Sequence, residues 1–280
     1  MEYAARYREE INRRLVKVLE ATAPDELVDR MEHVALAGGK RVRPTLTLLV
    51  CEALGGDSEA ALDFAVGIEL VHNASLVVDD IIDRSAIRRG DDAAWAAYDH
   101  GQAIVASDGL LGEAFALFAS DPRATEVVAD AMVELGQGEA TELVDRPETE
   151  DEYVELATRK TGSLFRAAAQ LGAIAADADA TTIDTVGDYA EHVGVAFQLR
   201  DDVLDEVGEA DDLGKPTGLD AELDRPSILQ VTDRSPDEVA EMAREHADRA
   251  RNSIDDLALP DGEARRYLEA LARFVVERDR

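Results

Sequence analysis

Asp79-Asp80-Ile81-Ile82-Asp83 and Asp201-Asp202-Val203-Leu204-Asp205 repeat one acidic pattern 122 positions apart in a chain of 280 residues. On a helix, residues four apart share a face, so Asp79 with Asp83, and Asp201 with Asp205, would each aim two carboxylates the same way. Such clusters suit a hard divalent cation. Magnesium takes oxygen ligands and keeps several waters while bridging carboxylates to substrate phosphates. No His or Cys ligand set accompanies them, which argues against zinc. The chain also supplies its own control: Asp91-Asp92, Asp211-Asp212 and Asp255-Asp256 neither complete the pattern nor sit in apolar helical segments, as the two full copies do.

Cations stand at matching places. Gly38-Gly39-Lys40-Arg41-Val42-Arg43-Pro44 reads as a glycine turn entering a helix whose first position suits Pro44, with Lys40 and Arg43 beside free backbone N–H groups. Arg88 and Arg89 follow the first acidic cluster. Lys160-Thr161-Gly162 and Gly214-Lys215-Pro216-Thr217-Gly218 again set a cation beside glycine. Lysine occurs only at positions 17, 40, 160 and 215, so a chain that has shed its surface lysines keeps three of them in these segments. His72 lies two turns before the aspartates on a similar face and would hydrogen-bond a second anion. Two acidic grips and several basic ones imply two diphosphate substrates.

The elements that must position these residues are helical. Apolar residues recur at three and four in Ile11 to Leu19, Ala60 to Val78, Ala103 to Phe118, Ala124 to Leu135, Tyr153 to Ala176 and Ala264 to Val276. Strand alternation is hard to find. Ser235, Pro236 and Glu238 form an N-cap, first-turn proline and capping-box acid. Loops are expected at residues 55–57, 89–92, 145–151, 206–224 and 259–262. The expectation is one all-α domain over residues 1–280, an antiparallel bundle of ten or so helices around a central cavity. Both acidic motifs would lie on facing central helices.

Composition excludes several functions. A formal net charge of -32 and a pI near 4.3 make nucleic acid and anionic membrane surfaces poor partners. The 61 acidic residues resemble the surface of proteins from salt-accumulating halophiles. Cys51 is the sole cysteine, so no disulfide forms within the chain, and a cytoplasmic setting is expected. No signal peptide and no apolar run long enough to span a bilayer is expected, hence no stable membrane insertion.

These motifs, in this order and over nearly the whole chain from Gly38 to Phe274-Val275-Val276-Glu277-Arg278, resemble the trans-isoprenyl diphosphate synthase family, the farnesyl and geranylgeranyl diphosphate synthases and their longer-chain relatives. The resemblance implies the isoprenoid-synthase helical bundle, usually a homodimer, and head-to-tail condensation of isopentenyl diphosphate with an allylic diphosphate. It implies that Asp79, Asp80, Asp83, Asp201, Asp202 and Asp205 bind two or three Mg2+ ions on the allylic diphosphate. Lys160, Thr161, Gln198, Lys215 and Arg88 would contact that diphosphate, and Lys40, Arg43, His72 and Arg89 the isopentenyl one. Arg84, Ala86 and the stretch from Asp91 to Tyr98 depart from the family pattern. Asp224-Arg225-Pro226-Ser227 replaces a Gly-Lys-x-Thr, putting Arg225 where a phosphate-binding lysine is usual.

Product length should follow the depth of an apolar tunnel upstream of Asp79. Small Ala74 and Ser75 would leave it open, with Val71, Ile68, Phe115 or Phe118 as floor. Geranylgeranyl diphosphate is the expected product and a longer polyprenyl diphosphate its rival. A class I terpene cyclase, a head-to-head synthase and an inactive partner subunit fit the residues less well.

Overall fold

The computed structural model describes residues 2–211, 226–257 and 259–277; Lys215 and Arg225 lie outside them. Among the described residues the chain is a helical bundle: α1 (Glu2–Leu19), α2 (Asp25–Ala35), α3 (Val42–Ala53), α4 (Ser58–Ile82), α5 (Ala94–Ala97), α6 (His100–Phe118), α7 (Pro122–Val144), α8 (Glu150–Ala157), α9 (Ser163–Ala175), α10 (Ala180–Asp211), α11 (Ile228–Val231), α12 (Pro236–Asp255) and α13 (Glu263–Glu277). The one departure is a two-residue antiparallel ladder, β1 (Ile87–Arg88) with β2 (Asp91–Asp92), which turns the expected 89–92 loop into a hairpin.

Local sequence explains the boundaries. Ser235 and Glu238 close the expected capping box on α12, and Thr149 with Glu152 closes another on α8. Asp57, Asp99 and Asp121 accept main-chain N–H bonds at the starts of α4, α6 and α7. Two expectations move. Helix α3 begins at Val42 after a left-handed Arg41, so Pro44 occupies its third position, where the N–H is still not needed within the helix. Helix α10 continues to Asp211, past the loop expected from residue 206.

Helices α4 and α9 are the centre. Both pack on α3 and on each other; α4 also meets α6, and α9 meets α7 and α10. The crossing of α3 and α9 is close enough that a Cβ at Gly172 would fall 2.3 Å from the Thr47 carbonyl, while the Thr47 hydroxyl donates to the Ala168 carbonyl at 2.8 Å. One apolar cluster runs from Tyr7 on α1 to Val275 on α13 and includes Leu70, Phe118, Phe165 and Tyr189. Contrary to the sequence reading, α4 is long and apolar enough to cross a membrane, but 67% of that window is buried inside the protein. Its hydrophobicity on all sides is that of a helix surrounded by others.

Candidate functional site

The first acidic motif ends α4. Asp80 turns inward, 3% exposed, and the Arg88 side chain of the hairpin donates to its Oδ1 through Nε at 2.9 Å and also through Nη2. The hairpin thus brings its arginines back against α4. Arg89 donates through Nη1 to the Gly38 carbonyl at 2.7 Å, so the glycine turn and the hairpin lie together. Arg43 reaches from the first turn of α3 to within 3.3 Å of His72 Nε2 and stacks 4.6 Å over the Phe165 ring. Four of the predicted anion-binding residues therefore form one basic corner: Arg43, His72, Arg88 and Arg89. Lys40 stands exposed in the loop that enters α3.

The electrostatics of this corner are unusual in so acidic a chain. Burial first, then Arg43, Arg89, Arg88 and Arg41, hold the His72 pKa well below the usual imidazole value, so the ring is neutral. Burial likewise lowers Arg43 to about 10, with Glu69 opposing and Arg89 adding to the fall. Sequence reading overlooked the support beneath. Arg41, 4% exposed, donates to Glu69 Oε1 at 2.5 Å, to the Ala35 carbonyl at 2.7 Å and to Asn12 Oδ1 at 3.0 Å. This buried pair fixes the left-handed residue from which α3 starts.

Lys160 and Thr161 belong to a π turn, Thr158–Gly162, between α8 and α9, in which the Ser163 N–H reaches back five residues to the Thr158 carbonyl. Glycine holds this turn in place. A Cβ at Gly138 of α7 would lie 3.2 Å from Lys160 N, and one at Gly194 of α10 would lie 3.0 Å from Gly162 Cα. The glycine beside Lys160 thus permits close helix approach. Lys160 Nζ pairs with Glu142 and, at 3.2 Å, with Glu139, two α7 acids absent from the sequence reading.

The second motif lies on α10 in the same cleft. A hollow of about 240 Å³ is lined by Lys160, Thr161, Gln198, Asp202 and Asp205, with Glu142, Tyr153 and Ser227 among its other walls. Thr161 donates to Gln198 Oε1 at 3.0 Å, and Gln198 Nε2 donates to Asp202 Oδ1 at 3.0 Å. Asp202 Oδ2 accepts from the Tyr153 hydroxyl and from Ile228 N at 3.1 Å. Burial raises the Asp202 pKa, opposed by these donors. A larger hollow of about 400 Å³, lined by Glu150, Arg234, Glu241 and His246, contains none of the motif aspartates.

Lys160 connects the two motifs. Burial opposes its charge, but Glu142, Glu139 and Asp79 outweigh it and hold its pKa above the ordinary lysine value. Burial and then Asp79 push the Glu139 carboxyl up to about 7, with Lys160 opposing. Lys160 therefore feels the carboxylates of α4 and α7 while lining one hollow with Asp202 and Asp205 of α10. Among the described residues no three His, Cys, Asp or Glu side chains stand grouped as a ready cage. An all-oxygen set under mutual repulsion, open to added phosphate and water ligands, nevertheless fits magnesium.

The predicted tunnel residues separate. At about 100° per residue, Ser75 lies roughly 40° from Asp79 around α4, and Ala74 roughly 140°. Ala74 is 1% exposed, and its carbonyl accepts from Ser107 of α6 at 3.1 Å, so it faces that helix. Val71 and Ile68 are buried. The Phe118 ring is fully buried against Gly67, where a Cβ would come within 2.6 Å of it, and Phe115 packs on its edge.

A helical bundle that carries two aspartate motifs and a basic corner suits a prenyltransferase of the isoprenoid type. The chain matches the polyprenyl synthetase family over residues 24–258. It is 32% identical to a short chain isoprenyl diphosphate synthase of Methanothermobacter thermautotrophicus, covering 100% of this chain and 98% of that one. It is 35% identical to a geranylfarnesyl diphosphate synthase of Aeropyrum pernix over 92% of this chain and 86% of that one. Among solved structures, the geranylgeranyl pyrophosphate synthetase of Pyrococcus horikoshii superposes with a TM-score of 0.86 at 33% identity, covering 99% of this chain and 98% of that one. The chain belongs to the polyprenyl synthetase family and is a trans-prenyltransferase.

Proposed function

We propose that the protein condenses isopentenyl diphosphate with an allylic diphosphate, with Mg2+, to give a linear prenyl diphosphate, geranylgeranyl diphosphate in the first instance. The observation that carries this reading is Lys160, which sits among the second motif's walls and feels the charge of Asp79 in the first. Bound magnesium would supply Lewis-acid charge at the departing diphosphate, held by Asp79, Asp83, Asp201 and Asp205. Asp80 and Asp202, turned inward onto protein donors, would position those ligands.

Lys160, Thr161 and Gln198 would orient the allylic diphosphate so that its C–O bond breaks inside the bundle, away from water. Arg43, Arg89 and neutral His72 would hold isopentenyl diphosphate alongside, its double bond attacking the allylic cation. A proton is then lost, for which the released diphosphate is the nearest base. Lys40 and, outside the described residues, Lys215 and Arg225 would add anion contacts.

Chain length is read from α4. Buried Ile68, on the same face of α4 as Asp79, lies eleven residues before it, about 16 Å at 1.5 Å per residue. That depth suits three to four isoprene units of about 5 Å each and supports a twenty-carbon product. Assembly as a homodimer is part of the same proposal, supported by exposed Ile104 and Val105 on α6 and Val133 on α7. So is cytoplasmic residence, supported by a sole cysteine, Cys51, that is buried as a free thiol.

Incubation with isopentenyl and farnesyl diphosphates, Mg2+ and molar salt, with products weighed by mass spectrometry, tests the reading. Elongated linear diphosphates support it. Cyclic hydrocarbons would point to a cyclase, and absence of turnover to an inactive subunit. Ser75→Phe should shorten the product, whereas Ala74→Phe, facing α6, should mainly cost stability, about 1–3 kcal/mol.

A further inference from the structure

The second motif is held by residues outside it. Asp202 is 8% exposed, and both of its oxygens are engaged by protein donors: Oδ2 by the Tyr153 hydroxyl and the Ile228 N–H, Oδ1 by Gln198. A carboxylate only accepts, so the side of the Gln198 amide that meets it must be the NH2 group. The amide oxygen is thereby turned to the Thr161 hydroxyl, which donates to it. The rotamer of a cleft residue is thus set three bonds back, by a phenol on α8 and a main-chain N–H at the start of α11.

Tyr153 is suited to this task. Its ring is 3% exposed in a small apolar cluster with Val195, Leu199, Val203 and Ile228, so the hydroxyl is delivered to one place. Val195, Leu199 and Val203 form a stripe of α10 spaced by four residues, which ties the ring to the helix that carries Asp202. Nothing in the chemistry of diphosphate binding requires a phenol there.

We propose that Tyr153, assisted by the Ile228 N–H, is a positioning residue for the allylic half of the site, holding Asp202 so that Gln198 and Thr161 present the correct atoms to the cleft. The proposal rests on the reading of this cleft as the allylic diphosphate site. A buried carboxylate deprived of one donor seeks another, and the nearest are the Gln198 amide and the cleft itself. Loss of the hydroxyl should therefore disturb the allylic substrate and the metal requirement while leaving the corner of Arg43 and His72 intact.

Steady-state kinetics on the full chain test this, with Mg2+ titrated and each diphosphate varied separately. Tyr153→Phe should lower kcat/KM for the allylic substrate about tenfold or more, the range for a hydrogen bond to a charged group, and raise the half-saturating Mg2+. The KM for isopentenyl diphosphate should stay within about twofold. Tyr153→Phe combined with Asp202→Asn should be no worse than Asp202→Asn alone, since the hydroxyl acts through that carboxylate.

A second pair of variants covers a misfolded Tyr153→Phe. Ser227 is extended and Ile228 is the first helical residue, so Ile228→Pro is compatible with the backbone and removes the N–H, whereas Ile228→Ala loses the same packing but keeps it. The proline variant should be the worse of the two for the allylic substrate. Equal allylic and isopentenyl losses, multiplying effects in the double variant, or indistinguishable proline and alanine variants would overturn the proposal. Wild-type turnover in the same assay separates that outcome from failure of the prenyl-transfer reading.

Discussion

At the end of α4 the inward aspartate of the motif, Asp80, meets a guanidinium; its counterpart on α10, Asp202, meets a phenol, an amide and a main-chain N–H. The two motifs have nearly the same letters, yet their neighbours give them different charge. The first is flanked by Arg41, Arg43, Arg88 and Arg89 around a neutral His72. The second is supported by neutral donors, which oppose the rise that burial imposes on the Asp202 pKa. The first half of the site can therefore bind anions through fixed guanidinium groups, whereas the second half, apart from Lys160, offers carboxylates suited to cations that bridge to a diphosphate. A repeated motif does not make a symmetric site.

Several experiments would break or sharpen this contrast. The largest effect is expected from the outer aspartates: Asp79→Ala and Asp201→Ala should each lower kcat/KM by about a thousandfold, with Mg2+ affinity reduced in direct titration. Lys160→Ala should cost about a hundredfold, because it removes an allylic contact and leaves Glu139 and Glu142 facing Asp79 unbalanced. Arg88→Gln should cost about tenfold and act on both substrates, unlike Tyr153→Phe. Equal substrate profiles for the two variants would erase the distinction between the halves.

A smaller effect concerns pH. The Glu139 carboxyl, at about 7 in the folded chain, lies above its ordinary value of 4.5, so the native state retains a proton that the unfolded chain has released. Stability of the metal-free protein should therefore fall as pH rises between those values. Glu139→Gln should flatten that part of the melting curve by a few degrees, and a slope unchanged by the substitution would contradict the assignment. The smallest local effect is His72→Gln, which keeps a neutral hydrogen-bonding group. The KM for isopentenyl diphosphate should shift by about threefold, with no added pH dependence between 5 and 8.

Much of this was legible in the chain. Helical periodicity gave the bundle because the apolar spacing of α4, α6 and α9 is the physical reason they pack. The motif aspartates stood out by their apolar setting, and Lys160 by the scarcity of lysine. Glu139 and Glu142 did not, because 61 acidic residues conceal two that matter. Tyr153 read as an ordinary apolar position of α8, since its ring is core and only its hydroxyl is not. Ala74 and Ser75 looked equivalent until the Ser107 hydroxyl placed one of them against α6.

The π turn at Thr158–Gly162 holds one residue more than an α-helix would use to cover the same rise. Deleting a single residue there should leave a continuous helix from α8 into α9, with its apolar stripe and melting behaviour largely kept. The flanking helices would keep their phase, but Lys160 and Thr161 would lose the bulge that sets them against Glu142 and Gln198. The enzyme should thus tolerate many exchanges of side chain in this stretch better than it tolerates a change in its length.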